Sequence, residues 1–175
     1  MTWTIRQALE RDAVDIAAIY NHYIEHSTAT FEEQPLSPDQ VAGRMHAVAA
    51  AGLPWLLAQR EGAVAGYAYA TPWRERTAYR HSVEVSGYVR PDQARAGAGS
   101  LLYRALIERL DRCGKHSLIG VVTLPNPASA AFHANMGFVQ VAHLRQVGFK
   151  FGRWLDVGYW QKLLGDRPLA YTSKL

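Results

Sequence analysis

Between Ser82 and Cys113 the chain carries its most restrictive pattern. Ser82 to Val89 is β-rich and alternates as a strand does. A loop of mostly small residues follows, Arg90-Pro91-Asp92-Gln93-Ala94-Arg95-Ala96-Gly97-Ala98-Gly99, and then a helix from about Ser100 to Cys113. Leu101, Leu102, Ala105, Leu106 and Leu110 share one face of that helix, and Gly114 ends it. A helix start leaves backbone N–H groups without partners and carries the positive end of the helix dipole. Small residues ahead of it let the backbone wrap an anion without Cβ clashes, and Arg95 adds a cation. The segment reads as a tight strand-to-helix turn or as a cradle for a phosphate-bearing ligand.

Two familiar nucleotide patterns do not fit it. A Walker-type phosphate loop needs Lys-Ser/Thr after its last glycine, whereas Ser100-Leu101 follows Gly99. The dinucleotide fingerprint needs three spaced glycines in an early βαβ unit. Here there are two, in mid-chain, after a run of antiparallel-type strands.

The flanking chain supplies a regular set of elements. Trp3 to Gln7 predicts a short strand, and Asp12 to about Ser27 a helix with Val14, Ala17, Ala18 and Ile24 near helical spacing. Ser37-Pro38-Asp39-Gln40 combines a hydroxyl cap, a first-turn proline and a capping-box glutamine. Val41, Met45, Val48 and Ala49 line one face of the helix it starts, which stops near Gly52. Leu53 to Gln59 and Ala63 to Ala70 read as a hairpin around Arg60-Glu61-Gly62. After the central helix, Leu118 to Leu124 is a buried-type strand. Asn126-Pro127 starts a short helix ending at Gly137, and Val139 to Val147 and Val157 to Leu164 are strands. The order predicts one mixed α/β (α+β) domain over residues 1–175, with a central sheet and helices packed on it.

Composition narrows the function classes. Hydrophobic residues make up 49% and charged residues 19%, the balance of a soluble globular chain. No apolar run approaches the roughly 18 residues of a membrane span, and the N-terminus lacks the pattern of a secretory leader. The single Cys113 cannot form an internal disulfide, which fits a reducing cytoplasm; it also lacks a recognisable histidine partner for nucleophilic work. His22 and His26 stand four apart without a third ligand, so no metal site is expected. The net charge of +4 is scattered, with no basic stripe for nucleic acid, and suits a small polyanion as well.

At Gly97-Ala98-Gly99 the pattern resembles the GNAT acetyltransferase superfamily, whose pyrophosphate motif is Gln/Arg-x-x-Gly-x-Gly/Ala. Ala94 stands at the motif's first position, with Gln93 one residue early, which implies weakened rather than lost coenzyme binding. Further segments resemble the phosphinothricin and methionine sulfoximine N-acetyltransferase family: Ile19 to Glu25, Thr30-Phe31, Gly66 to Ala70, Pro72-Trp73-Arg74, Tyr79-Arg80 and Val147 to Gln161. The similarity runs from about Ile5 to Leu164.

That resemblance implies a mostly antiparallel sheet with one splayed strand pair, about four helices and a homodimer with the Phe149 to Trp154 segment near its shared face. It implies acetyl-CoA as co-substrate and a small-molecule amine as acceptor, with no metal, nucleic acid or membrane partner. Glu84 takes the place of the general base, and His133 matches a family histidine near the coenzyme sulfur. Gly87, Tyr88 and Val89 would bind the pantetheine arm, with a β-bulge expected at Gly87. Arg95, Ala96, Gly97, Ala98, Gly99 and Ser100 would bind the pyrophosphate, and Asn126 would touch the coenzyme while capping its helix. Trp73, Arg74 and Glu75, with Glu84, Val85 and Ser86, would receive the acceptor, and Arg80 and Lys150 are further cations for anionic groups. A GNAT enzyme for another amine, such as a protein N-terminus, and a non-catalytic acyl-CoA-binding module remain open at this point.

Overall fold

Gly66-Tyr67-Ala68-Tyr69-Ala70 alternates small and aromatic residues, and successive strand residues point to opposite faces. A sheet built on it must offer one flat face and one aromatic face. The computed structural model shows this arrangement and describes residues 2–165; the other residues of the expected 1–175 domain lie outside that range. The elements are β1 (Thr4–Gln7), α1 (Ala13–His26), α2 (Pro38–Ala50), β2 (Trp55–Arg60), β3 (Ala63–Pro72) and β4 (Ser82–Val89). They continue with α3 (Ala98–Arg112), β5 (Ser117–Leu124), α4 (Pro127–Asn135), β6 (Val139–Lys150) and β7 (Arg153–Leu163). One seven-stranded sheet results, in the order β1-β2-β3-β4-β5-β7-β6. Only β4 and β5 run parallel; every other neighbouring pair is antiparallel.

On the flat face Gly66, Ala68 and Ala70 let α3 lie close, and its Leu102, Leu106 and Leu110 are fully buried there. On the aromatic face Trp55 stacks on Tyr69 at 4.1 Å, and Tyr88 meets Tyr20 of α1 edge-on at 5.0 Å. The capping box of α2 forms as the sequence requires: Gln40 N–H donates to Ser37 Oγ at 3.2 Å, and Ser37 N–H to Gln40 Oε1 at 2.8 Å. The apolar stripes shift slightly from expectation. Val14, Ala18, Ala49 and Leu101 lie on the solvent side, while Ala13, Ile16, Tyr20, Ala98 and Tyr103 turn inward.

The predicted order holds element for element, with three local corrections. Helix α3 begins at Ala98, not Ser100, so Ala98 and Gly99 belong to its first turn. Strands β6 and β7 extend toward each other across Phe151-Gly152, both left-handed at φ 52° and 72°, a two-residue hairpin turn. The bulge expected at Gly87 is absent, because the β3–β4 register is unbroken from Gly66↔Val89 to Pro72↔Val83. Glycine is needed there for another reason: a Cβ would stand 2.8 Å from the Tyr103 ring.

The expected splay is present. β4 and β5 pair only from Ser82↔Ser117 to Val85↔Gly120 and then part, while β3 stays on β4 to Val89 and β7 stays on β5 to Leu124. Among the described residues no helix is long and apolar enough to cross a membrane.

Lys150, expected as a free cation for anionic groups, is instead a structural clasp. It is 1% exposed, and its Nζ donates to the carbonyls of Ser27 at 2.9 Å and Thr30 at 2.8 Å. Burial holds its ammonium below the ordinary lysine range, against the pull of Glu33 and Glu32. Beside it the Phe31 ring occupies the space where a Cβ on residue 148 would sit. The Thr30-Phe31 and Val147-to-Lys150 segments, far apart in the chain, thus form one joint. Lys150→Met leaves two inner carbonyls without a donor. It is expected to lower stability by about 1–3 kcal/mol, read as a lower urea midpoint at unchanged m-value.

Candidate active site

Where β4 and β5 part, a cleft of about 480 Å³ passes through the sheet. Its walls come from both faces: Tyr103, Phe132 and His133 on the α3 side, Tyr23, Ala29 and Tyr67 on the α1 side. The backbone edge of β4 beyond Val85 faces this cleft without a strand partner, and Ser86, Gly87, Tyr88 and Val89 all line it. The Tyr23 hydroxyl closes the end of that edge, donating to the Val89 carbonyl at 2.5 Å.

One end of the cleft is the loop into α3. Arg95 and Gly97 are left-handed, at φ 63° and 91°, and turn the chain so that Gly97 caps the helix. The first intrahelical bond runs from Leu101 N–H to the Gly97 carbonyl, so the N–H groups of Ala98, Gly99 and Ser100 have no helical acceptor. Arg95, Gly97, Gly99 and Ser100 line the cleft. Ala96 and Ala98 do not: Ala98 is buried under the turn, and the Ala96 carbonyl accepts from Trp3 Nε1 at 3.1 Å. Gln93 and Ala94 both stand on the wall, so the one-residue offset does not take the glutamine from the site. Its Oε1 accepts from Arg60 at 2.8 Å. This end has the amides, dipole and cation that a diphosphate requires.

Asn126 combines its two expected places. Its Oδ1 accepts from Ser129 N–H at 3.0 Å as the cap of α4, and the residue also lines the cleft. His133 is 5% exposed and lies over Gly120, where any Cβ would be 2.5 Å from Nε2. Its Nδ1 stands 2.9 Å from the Ser129 carbonyl, which can only accept, so the proton sits on Nδ1. Nε2 is then a bare lone pair, buried and without a partner among the described residues. Burial lowers the His133 pKa, opposed by the Ser129 bond.

Glu84 lies on the other face. It opposes Ile119 in register and has the same parity as Tyr88, which packs on α1. It is half-buried and is not on the cleft wall, although its neighbours Val85 and Ser86 are. Desolvation raises its pKa above the ordinary carboxyl range, and the Arg74 charge pulls it partly back. The Arg74 guanidinium stacks on Trp73 at 4.5 Å, and with Glu75 these residues frame a shallow depression after β3. Arg80 is engaged locally, its Nη1 donating to Thr77 O at 3.2 Å. Among the described residues no group of three metal-binding side chains occurs.

Residues 5–158 match the family described as the acetyltransferase (GNAT) domain. This chain belongs to the GNAT family. It is 43% identical over 95% of its length to the phosphinothricin N-acetyltransferase of Alcaligenes faecalis, covering 86% of that protein. It is 37% identical over 93% of its length to the L-methionine sulfoximine/L-methionine sulfone acetyltransferase of Salmonella typhimurium, covering 95% of it. A phosphinothricin acetyltransferase from Sinorhizobium meliloti, solved with acetyl-CoA, superposes with a TM-score of 0.93 at 37% identity, covering 99% of this chain and 95% of that one.

In this GNAT acetyltransferase the candidate residues stand on the two faces of the sheet, His133 over Gly120 on the α3 face and Glu84 on the α1 face. Sequence reading misses the walls contributed by Tyr23, Phe132 and Tyr103, whose only sequence mark is an aromatic at core spacing. Tyr159 is missed in a different way. It lies within the Val147 to Gln161 segment of the resemblance without a site role of its own, and it meets Trp73 edge-on at 5.9 Å.

A depressed histidine pKa has a defined signature. Between the ordinary value near 6.5 and the lower folded value, the unfolded chain binds the proton and the GNAT fold does not, so stability present above 6.5 falls as pH drops through that window. His133→Gln is expected to flatten this part of the stability curve. Nitrogen NMR of the wild type is expected to show a neutral Nδ1–H ring still below pH 6.5.

Proposed function

We propose that this GNAT enzyme moves the acetyl group of acetyl-CoA to the amine of a small amino-acid-like acceptor of the phosphinothricin or methionine sulfoximine type, with Glu84 as general base. One observation carries the reading: a half-desolvated carboxyl beside an arginine stands next to a cleft that runs through the sheet from a diphosphate cradle. The cleft suits a long, narrow donor with an anionic end. The names of the relatives supply the acceptor class.

In this reading the amides of Gly99 and Ser100, with Arg95, take the diphosphate. The free edge of β4 at Gly87, Tyr88 and Val89 takes the pantetheine amides as a neighbouring strand would. Glu84 accepts the proton of the acceptor ammonium, directly or through water, and a raised pKa makes it a stronger base than an ordinary glutamate. The freed amine attacks the thioester carbon, so a C–N bond forms and the C–S bond breaks, leaving N-acetylated acceptor, coenzyme A and a proton. Arg74 pairs with an anionic group of the acceptor, and Trp73 walls it in. His133, neutral and with a bare Nε2, serves as a polar support or proton acceptor on the donor side rather than as an acid.

The chain works as a homodimer in a reducing cytoplasm, where exposed Cys113 stays a thiol. Supporting the dimer, β6 is an edge strand with Val139, Val141, Leu144 and Val147 exposed, continuing into Phe149, Phe151 and Trp154 at the hairpin tip. An apolar edge of this kind is a normal place for a second copy.

Glu84→Gln is expected to cut kcat by roughly a hundredfold while sparing acetyl-CoA affinity. In the wild type, kcat/KM falls with decreasing pH through an apparent pKa above the ordinary glutamate value, and Glu84→Gln abolishes that limb. Arg74→Ala raises KM for the acceptor about tenfold or more and moves the acid limb to higher pH, because the charge that lowers the Glu84 pKa is gone. A panel of amines scored by release of the coenzyme A thiol tests the assignment. Turnover of peptides with none of amino acids would overturn it.

A further inference from the structure

Trp73 leaves β3 beside the start of β4, where its backbone N–H donates to the Ser82 carbonyl at 3.2 Å. Its indole nevertheless reaches β7, two strands further across the sheet, and meets the Tyr159 ring at 5.9 Å with an interplanar angle of 83°. The register fixes the face on which this happens. Glu84 opposes Ile119 on β5, and Val121, two residues along β5, opposes Tyr159 on β7. Residues two apart in a strand share a face, so Glu84, Val121 and Tyr159 all project to the same side. The indole therefore lies over β4 and β5 on the side that carries Glu84. The Arg74 guanidinium stacks on that same indole at 4.5 Å, and its charge acts on Glu84.

Trp73 and Arg74 lie outside the strands and helices that frame the site. Tyr159, by contrast, is half-buried in a strand paired on both sides, to Val121 and to Ala142. Edge-to-face ring contacts are directional as well as attractive, so a fixed ring selects one position of its neighbour.

We propose that Tyr159 is a positioning residue for acceptor selection: its ring braces Trp73, and through it Arg74, in place over Glu84. The proposal rests on the acceptor-side roles given to Trp73, Arg74 and Glu84 above. It adds that the shape of the acceptor pocket is set from β7, by the ring of Tyr159 and not by its hydroxyl. Without the ring the indole swings, the guanidinium loses its stacking plane, and water reaches the carboxyl. The donor cleft does not include Tyr159 and keeps its shape.

The test is steady-state kinetics of the full chain with acetyl-CoA and a methionine sulfoximine acceptor, using Tyr159→Leu, Tyr159→Phe and Trp73→Leu. Tyr159→Leu is expected to raise KM for the acceptor roughly tenfold and to leave the acetyl-CoA dissociation constant unchanged. It should also shift the acid limb of kcat/KM to lower pH, because relief of desolvation, the larger influence on Glu84, outweighs the loosened Arg74 charge. Tyr159→Phe, which keeps the ring, rescues all three readouts. Trp73→Leu breaks the same contact outside the sheet, so it reports even if Tyr159→Leu folds poorly. The double variant is expected to be no worse than Trp73→Leu alone. A lowered melting temperature in Tyr159→Leu with KM and pH profile unchanged, or additive effects in the double variant, overturns the proposal. A wild-type enzyme inactive on every amino acid sinks the acceptor assignment itself, a different result from an active wild type matched by its Tyr159→Leu variant.

Discussion

After Val85 and Gly120 two neighbouring parallel strands stop sharing hydrogen bonds, and the site follows from that break. Inner backbone groups left without partners are costly, so a split sheet needs something to hold it open. Here two rings do so from the α3 face. Tyr103 packs on Gly87 of β4 and His133 on Gly120 of β5, each where a Cβ would clash. Meanwhile β3 and β7 keep the outer edges of the pair in register to the strand ends. The strands are thus held from outside and wedged from one face. The exposed edge of β4 becomes a template for any ligand carrying amides at strand-like spacing.

Burial then sets the chemistry on each face. His133 and Glu84 both move toward their neutral forms, for the same reason and with opposite sign: desolvation lowers the imidazole pKa and raises the carboxyl pKa. For the histidine, neutrality with the proton fixed on Nδ1 leaves a lone pair aimed at the split. For the glutamate, the shift strengthens its basicity, and the Arg74 charge limits the shift. In the proposed reaction a single arginine thereby has two roles, offering a cation to the acceptor and opposing the upward shift of Glu84.

What the sequence made legible was local. Ser37-Pro38-Asp39-Gln40 and Asn126-Pro127 announce helix starts because a cap and its partner lie within four residues. The small residues around Gly97 announce a cradle because the required φ values are local as well. The Phe151-Gly152 turn was hidden, since a left-handed phenylalanine carries no turn signal. The place of Lys150 and the contact of Tyr159 were hidden for a deeper reason. Their partners, Thr30 at 120 residues' separation and Trp73 on another element, are set by register and packing, which residue types alone do not encode. At Gly87 the expected bulge is replaced by a different need for glycine, a ring above it rather than an extra residue within the strand.

The two halves of the site differ in how firmly they are built. Around the cleft several segments are tied down by hydrogen bonds: Tyr23 to Val89, Asn126 to Ser129, Arg60 to Gln93, and Trp3 to Ala96 behind the loop into α3. The segment after α1 is equally fixed, by Lys150 and by Tyr20, whose hydroxyl lies 2.7 Å from Thr30 Oγ1 and 3.1 Å from Glu32. The side chains of Trp73 and Arg74, by contrast, are held by ring contacts and stacking, on a largely exposed stretch of chain. Such contacts are weaker and more easily altered than the hydrogen bonds around the cleft. On the proposed assignment, substitutions near Trp73 would reshape the acceptor wall without touching the hydrogen bonds around the cleft.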